Sequence, residues 1–225
     1  AANGSLTPSM AIAKSSNAYM SKMVGNELYM RNGEKGVEIW DDYMKQFGLG
    51  VTTGSGLPGE SRGDASYLKE MKKGSPQSAL IYASFGQQGR YTTLQLAQYA
   101  VTLATRGKRM KPQFVDQIRD ASGNVVQPYQ PEVLNTIDFP DSYWNTIEKG
   151  MAQVPVQGFE GFSYNFLRKT GTSEQDVAGG RVENGVFIAY APAEDPTLAV
   201  AVVVPQGGFG GWAAAPIARK IFDAY

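Results

Sequence analysis

The run Leu198–Val204, LAVAVVV, restricts the architecture more than any other segment. It is uncharged and rich in β-branched valine, and Pro196 and Pro205 bound it closely. Such a run predicts a strand with apolar side chains on both faces, so both faces must be covered by other elements. Nothing in the chain approaches the ~18 apolar residues of a membrane span. Phe166–Gly171 and Gly185–Ala191 read as two strands before it. Trp212–Tyr225 reads as a closing helix with Ile217, Ile221 and Phe222 inward.

Upstream the pattern is helical. Thr7-Pro8 is an N-cap followed by a first-turn proline. Apolar spacing continues to Met23, interrupted at Ser15-Ser16-Asn17, and a further apolar-periodic stretch covers Ala18–Leu28. Val37–Phe47 is amphipathic, and Gly48 ends it. Thr92–Arg106 carries Leu94, Leu96, Ala97, Ala100, Val101 and Ala104 on one face. Asp141–Met151 is predicted helical, capped by Asp141 or Ser142. Residues 49–75 read as loop, and Ser122-Gly123-Asn124 as a hairpin turn. Helices first and strands last predict an α+β fold. The expected division is a mainly helical part over 1–152, then three strands and a helix over 153–225.

Composition narrows the chemistry. The 225 residues contain no His and no Cys. A thiolate nucleophile, a disulfide, a Cys/His zinc site and a Ser-His-Asp triad are all excluded, and acid/base work falls to Lys, carboxylates, Tyr and hydroxyls. The 21 basic and 21 acidic residues balance, which gives no whole-chain attraction to nucleic acid. No cofactor or metal is expected. The start, AANGSLTPSM, has neither an initiator Met nor a signal-peptide pattern, and reads as the continuation of a longer polypeptide.

Several patterns are read as bland. Gly54-Ser-Gly56-Leu-Pro-Gly59 matches G-x-G-x-x-G, but no strand precedes it and Pro58 obstructs a helix. Arg62-Gly63-Asp64 and the basic clusters around Lys69–Lys73 and Arg106–Lys111 read as surface. Asp41 and Asp42, adjacent on a helix, do not face each other.

Two short motifs carry chemistry together: Ser15-Ser16-Asn17 at a break between helices, and Lys169-Thr170-Gly171-Thr172 at the end of a strand. The second offers an ammonium, two hydroxyls and a glycine with no side chain to obstruct a ligand. As an edge strand it would accept a peptide laid along it.

With these motifs the chain resembles the transpeptidase domain of penicillin-binding proteins, of the high-molecular-mass monofunctional kind, in the superfamily of serine β-lactamases. The likeness extends through Ala83–Gly89, Thr92–Ala97, Ala104–Pro112, Phe47–Gly50 and Leu57–Glu60. It implies a helical subdomain plus an antiparallel sheet flanked by helices. It implies that Ser15 relays a proton, Asn17 binds a substrate amide and Lys169 supplies positive charge. Thr170 and Thr172 would bind a carboxylate along Gly171, and the Thr172 N–H would be an oxyanion donor. The implied ligands are D-Ala-D-Ala stem peptides and β-lactams. The implied setting is the extracytoplasmic face of a bacterial membrane, with an upstream anchor and other cell-wall synthesis proteins as possible partners.

The family's nucleophile belongs to an S-x-x-K motif before S-x-N, and residues 1–14 contain none. Ser66-Tyr67-Leu68-Lys69 comes too late and reads as chance. The expectation is therefore the C-terminal part of a transpeptidase domain, incomplete on its N-terminal side. It would be inactive by itself and leave an unpaired apolar edge on Leu198–Val204. The alternatives are a non-catalytic cleft or scaffold protein of the same fold, and a β-lactamase or D,D-carboxypeptidase.

Overall fold

The computed structural model describes residues 4–225. The chain opens with α1 (Pro8–Ala13) and α2 (Asn17–Met20), continues through a π-helical turn at Ser21–Asn26 into α3 (Glu27–Asn32), and reaches α4 (Lys35–Gln46). Then come α5 (Tyr67–Lys72), α6 (Pro76–Ala83) and α7 (Thr93–Ala104). Two small ladders follow: β1 (Lys108–Met110) pairs with β4 (Val133–Thr136), and β2 (Gln117–Arg119) with β3 (Val125–Pro128). After α8 (Asp141–Met151), the main sheet forms from β5 (Leu167–Val177), β6 (Gly180–Ala191) and β7 (Leu198–Val204). It is antiparallel, in the order β5-β6-β7, and α9 (Gly210–Ala213) and α10 (Ala215–Ala224) close the chain.

Side-chain alternation explains the layering. Leu167, Ile188 and Tyr190 point to one face of the sheet and bury with Ala100 and Leu103 of α7 and Trp144 and Met151 of α8. Phe187, Ala189, Val200 and Val202 point to the other face and bury with Ala214, Ala215 and Ala218. The expectation of two covered faces for Leu198–Val204 holds, and the fold is α+β with helices flanking an antiparallel sheet. Among the described residues β7 pairs only with β6, so its second edge has no strand partner. A third core, Val37, Tyr67, Ala79, Leu80 and Ala83, holds the helices of the first half together.

Local chemistry sets the helix ends. Thr7 accepts from the Met10 N–H, as a cap before Pro8 should. Thr92 and Gln95 form a reciprocal capping box at α7. The buried face of α7 is more polar than its apolar stripe suggests. Gln95 is fully buried and ties the Val51 and Arg62 carbonyls at 2.8 and 2.9 Å. Gln98 does the same for Thr53 and Met110, at 2.8 Å each. These amides satisfy loop backbone that would otherwise be buried unpaired.

Four expectations need correction. Ile217 and Ile221 are 43% and 41% exposed, because α10 turns its Ala215, Ala218 and Phe222 stripe to the sheet instead, with Ala214 at its start. The closing segment is two helices, broken at Ala214. Residues 49–75 contain α5, whose Tyr67 is buried beneath α4. The N-cap of α8 is Pro140 rather than Asp141 or Ser142, with no side-chain hydrogen bond.

Candidate active site

The candidate site begins at the break between α1 and α2. Ser15 has φ 51°, a left-handed conformation uncommon for a residue with a Cβ. It turns the chain so that Ser16 becomes the cap of α2, its Oγ accepting from the Tyr19 N–H at 3.2 Å. Ser16 is buried by that role, while Ser15 and Asn17 on either side are exposed. The sequence motif thus divides into one structural serine and two presented side chains.

Close packing fixes where this turn sits. A Cβ at Gly150 of α8 would fall 2.7 Å from Ile12 Cβ and 2.8 Å from the Ser9 carbonyl, so glycine lets α1 lie directly on α8. A Cβ at Gly25, in the π-helical turn, would lie 2.6 Å from the Leu80 carbonyl of α6. Asn26 beside it accepts from Gln77 at 2.8 Å. Helix α8 also packs on the sheet face that carries Leu167. Lys169 shares that face by alternation, so the stack β5–α8–α1 delivers its side chain to Ser15.

The result is a contact between residues 154 apart in sequence: Lys169 Nζ donates to Ser15 Oγ at 2.7 Å. The same ammonium donates to the Thr170 carbonyl at 2.7 Å. No carboxylate among the described residues forms an ion pair with it. Burial without a counter-ion pushes the amine down from 10.5 to about 8.

The other residues of the motif take distinct places. Strand β5 pairs only with β6, so its second edge is open among the described residues. The ladder's alternation puts the Thr172 N–H on the same side of β5 as the Thr170 carbonyl. Thr170 and Thr172 side chains lie on the opposite face from Lys169, toward α9. There the Thr172 Oγ1 accepts from the Gly210 N–H at 3.4 Å. A Cβ at Gly171 would meet only Val186, at an ordinary 3.5 Å, so packing within the described residues does not demand glycine there. Gly210 is the reverse case, since its Cβ would run into the Gly171 and Val186 carbonyls. Asn17 has no hydrogen-bond partner for its side chain among the described residues. Lys69 of the late S-x-x-K binds Asp64 at 3.2 Å and takes no part.

Sequence reasoning proposed Ser15, Asn17 and Lys169–Thr172 as site residues, of which the structure brings Ser15 and Lys169 into contact, and it missed the glycines that seat them. Gly150 and Gly25 lie inside helical stretches, where glycine is disfavoured; that irregularity was the available signal. Gly210 belongs to a glycine-rich turn and could not be singled out there.

An antiparallel sheet with helices on both faces, and an S-x-N turn set against a K-T-G strand, define the class of serine β-lactamases and penicillin-binding proteins. Within it, the chain belongs to the penicillin-binding protein transpeptidase domain family, which matches residues 1–223. It is similar to penicillin-binding protein 2A of Bacillus subtilis, with 36% identity over 87% of this chain and 30% of that protein. It is similar also to the peptidoglycan D,D-transpeptidase MrdA of Haemophilus influenzae, with 28% identity over 96% of this chain and 35% of that protein. The solved structure of penicillin-binding protein 2B from Streptococcus pneumoniae superposes with a TM-score of 0.83 at 30% identity, covering 98% of this chain and 39% of that one. The chain thus spans about a third of the length of the curated relatives it matches.

Proposed function

We propose that this chain is the C-terminal part of a D,D-transpeptidase domain, which in the intact protein cross-links peptidoglycan stem peptides and is acylated by β-lactams. The observation that carries the reading is the 2.7 Å bond from Lys169 to Ser15 beside the open edge of β5. It joins the two motifs through the fold rather than through sequence.

In this reading the stem peptide lies along β5 as an added strand. The Thr170 and Thr172 hydroxyls receive its terminal carboxylate, and Lys169, on the other face of β5, supplies positive charge beside the reacting centre. Asn17 holds a substrate amide, and the Thr172 N–H faces the developing oxyanion. A serine upstream of residue 1, in S-x-x-K, passes its proton to the lysine of that motif as its oxygen adds to the D-Ala-D-Ala carbonyl. The tetrahedral adduct collapses, the C–N bond breaks, and the departing amine takes a proton relayed through Ser15 from Lys169, which regains one from the S-x-x-K lysine. An amine from a neighbouring stem peptide then attacks the ester, forming the new amide and returning the serine. Lys169 works as a donor throughout, consistent with both of its bonds being to oxygen acceptors.

No helix among the described residues is long and apolar enough to cross a membrane. The proposal places any anchor upstream, and the sheet at the extracytoplasmic face. Mass spectrometry after incubation with benzylpenicillin tests the reading. The intact protein should gain one covalent adduct, on a serine preceding Ser15, and the 225-residue chain should gain none. An intact protein that stays unmodified, or an adduct on Ser66, would overturn it.

A further inference from the structure

A second site opens on the far side of α7 and shares no residue with the Ser15–Lys169 pair. The end of α4, the loop 51–54 and the β1–β4 ladder enclose an open cleft of about 530 Å³. Its walls are largely apolar, from Val51, Leu134 and the Lys45 stem. Gly54, with φ 80°, brings the loop against Leu134, where an added Cβ would lie 2.9 Å from Leu134 Cδ1.

One charge faces this cleft in a fixed pose. Arg109 donates through Nε to Asn135 Oδ1 at 2.5 Å and through Nη1 to Gln98 Oε1 at 3.4 Å. Both partners are themselves held. Asn135 donates to the Gln46 carbonyl at 3.1 Å, and the Gln98 amide is occupied by Thr53 and Met110. Gly48 leaves room for the Gln98 oxygen and the Arg109 stem, since an added Cβ there would collide with Gln98 Oε1 and lie 3.3 Å from Arg109 Cδ. The guanidinium is thus oriented by neutral amides alone. It forms no ion pair with any carboxylate among the described residues, and its Nη2 has no acceptor there.

Several other arginines have partners of a different kind. Arg106, Arg181 and Arg219 each hold a carboxylate. Arg168 donates to the Val154 and Phe166 carbonyls and lies 4.6 Å over the Phe166 ring. A half-buried guanidinium without a counter-ion is unfavourable unless something supplies the anion. Burial accordingly lowers the Arg109 pKa. A preset planar fork suits a carboxylate, which it can bind through two parallel N–H bonds. Lys45 stands at the rim, already engaged with Asp41 at 2.6 Å, and adds no free charge.

We propose that this cleft binds a small organic monocarboxylate with a branched aliphatic body, its carboxylate on Arg109 and its body against Val51 and Leu134. The test is methyl-detected NMR of the intact protein with labelled Val and Leu, titrated with isovalerate and, separately, with the neutral isostere isovaleramide at constant ionic strength. Isovalerate should shift the Val51 and Leu134 methyl signals saturably, and isovaleramide should not. Arg109→Gln should weaken the isovalerate response at least about tenfold, the effect of losing one charge-assisted pair. Lys69→Gln should leave it unchanged. Absence of a saturable shift in the wild type, an equal response to isovaleramide, or binding undiminished in Arg109→Gln would each overturn the proposal. The wild-type comparison of acid and amide stands even if the variant fails to fold.

Discussion

Replacing Lys169 by Met should stabilise the protein near neutral pH while abolishing its function. The wild-type amine falls from 10.5 to about 8 on folding, because burial disfavours its charge. At ~1.4 kcal/mol per pH unit, the charged form is about 3 kcal/mol worse off in the fold than in the open chain. Methionine removes that penalty and fills similar volume, but gives up the hydrogen bonds of the amine, ~1 kcal/mol net. The balance is a gain of about 2 kcal/mol at pH 7, or a rise in Tm of about 4–8 °C for a domain of this size. The gain must depend on pH in a fixed direction. Below pH 8 the folded and unfolded chains both carry the proton, and the whole penalty is present. Between about 8 and 10.5 the folded chain has released it and the unfolded chain has not, so wild-type stability rises with pH. The advantage of Lys169→Met should therefore shrink to roughly zero by about pH 10. Urea unfolding of the intact protein, followed by the fluorescence of buried Trp144, measures both points. A variant less stable than wild type at pH 7, or a gain unchanged at pH 10, would refute the reasoning.

Other perturbations probe the same frame. Ser15→Ala removes the hydroxyl that Lys169 bonds, and should slow acylation of the intact protein by a fluorescent penicillin about 10²–10⁴-fold with little change in Tm. Gly150→Ala places a methyl against Ile12 and Ser9, and should cost about 1–3 kcal/mol by calorimetry and slow the same acylation by shifting α1. Glu60 is held below the usual carboxylate range. Burial alone would raise it, but hydrogen bonds from Ser55 and Thr53 outweigh burial. Its contribution is present above pH 4.5 and lost as pH falls through the lower folded value, so Glu60→Gln should flatten the acid limb of the stability profile.

The sheet was legible because its chemistry is local. Leu198–Val204 has to be covered on both faces, and helices cover it. The long ends of β5 and β6 were not legible, since Glu174, Asp176 and Arg181 form an exposed polar ladder with no apolar alternation to mark it. Helix α5 was hidden for a different reason. Its single inward aromatic, Tyr67, is fixed by a 2.8 Å bond to Asp41, a partner 26 residues away. Of the residues expected inward on α10, Phe222 does pack on the sheet cluster, but Ile217 and Ile221 were misread because hydrophobicity favours them, whereas the stripe that turns inward carries Ala215 and Ala218. At the site, the motif residues were visible from their chemistry. Their convergence depends on backbone contact at Gly150 and Gly25, which a sequence shows only as glycine in the wrong place.

The central claim is that Lys169, charged and bonded to Ser15, acts as the proton and charge donor of the acylation site. The pH profile of the acylation rate constant of the intact protein with benzylpenicillin tests it most directly. The account predicts a rate that falls as pH rises through about 8, with that limb lost and the rate low throughout in Lys169→Met. A rate that stays level or climbs across that range, or a variant that acylates as fast as wild type, would contradict it.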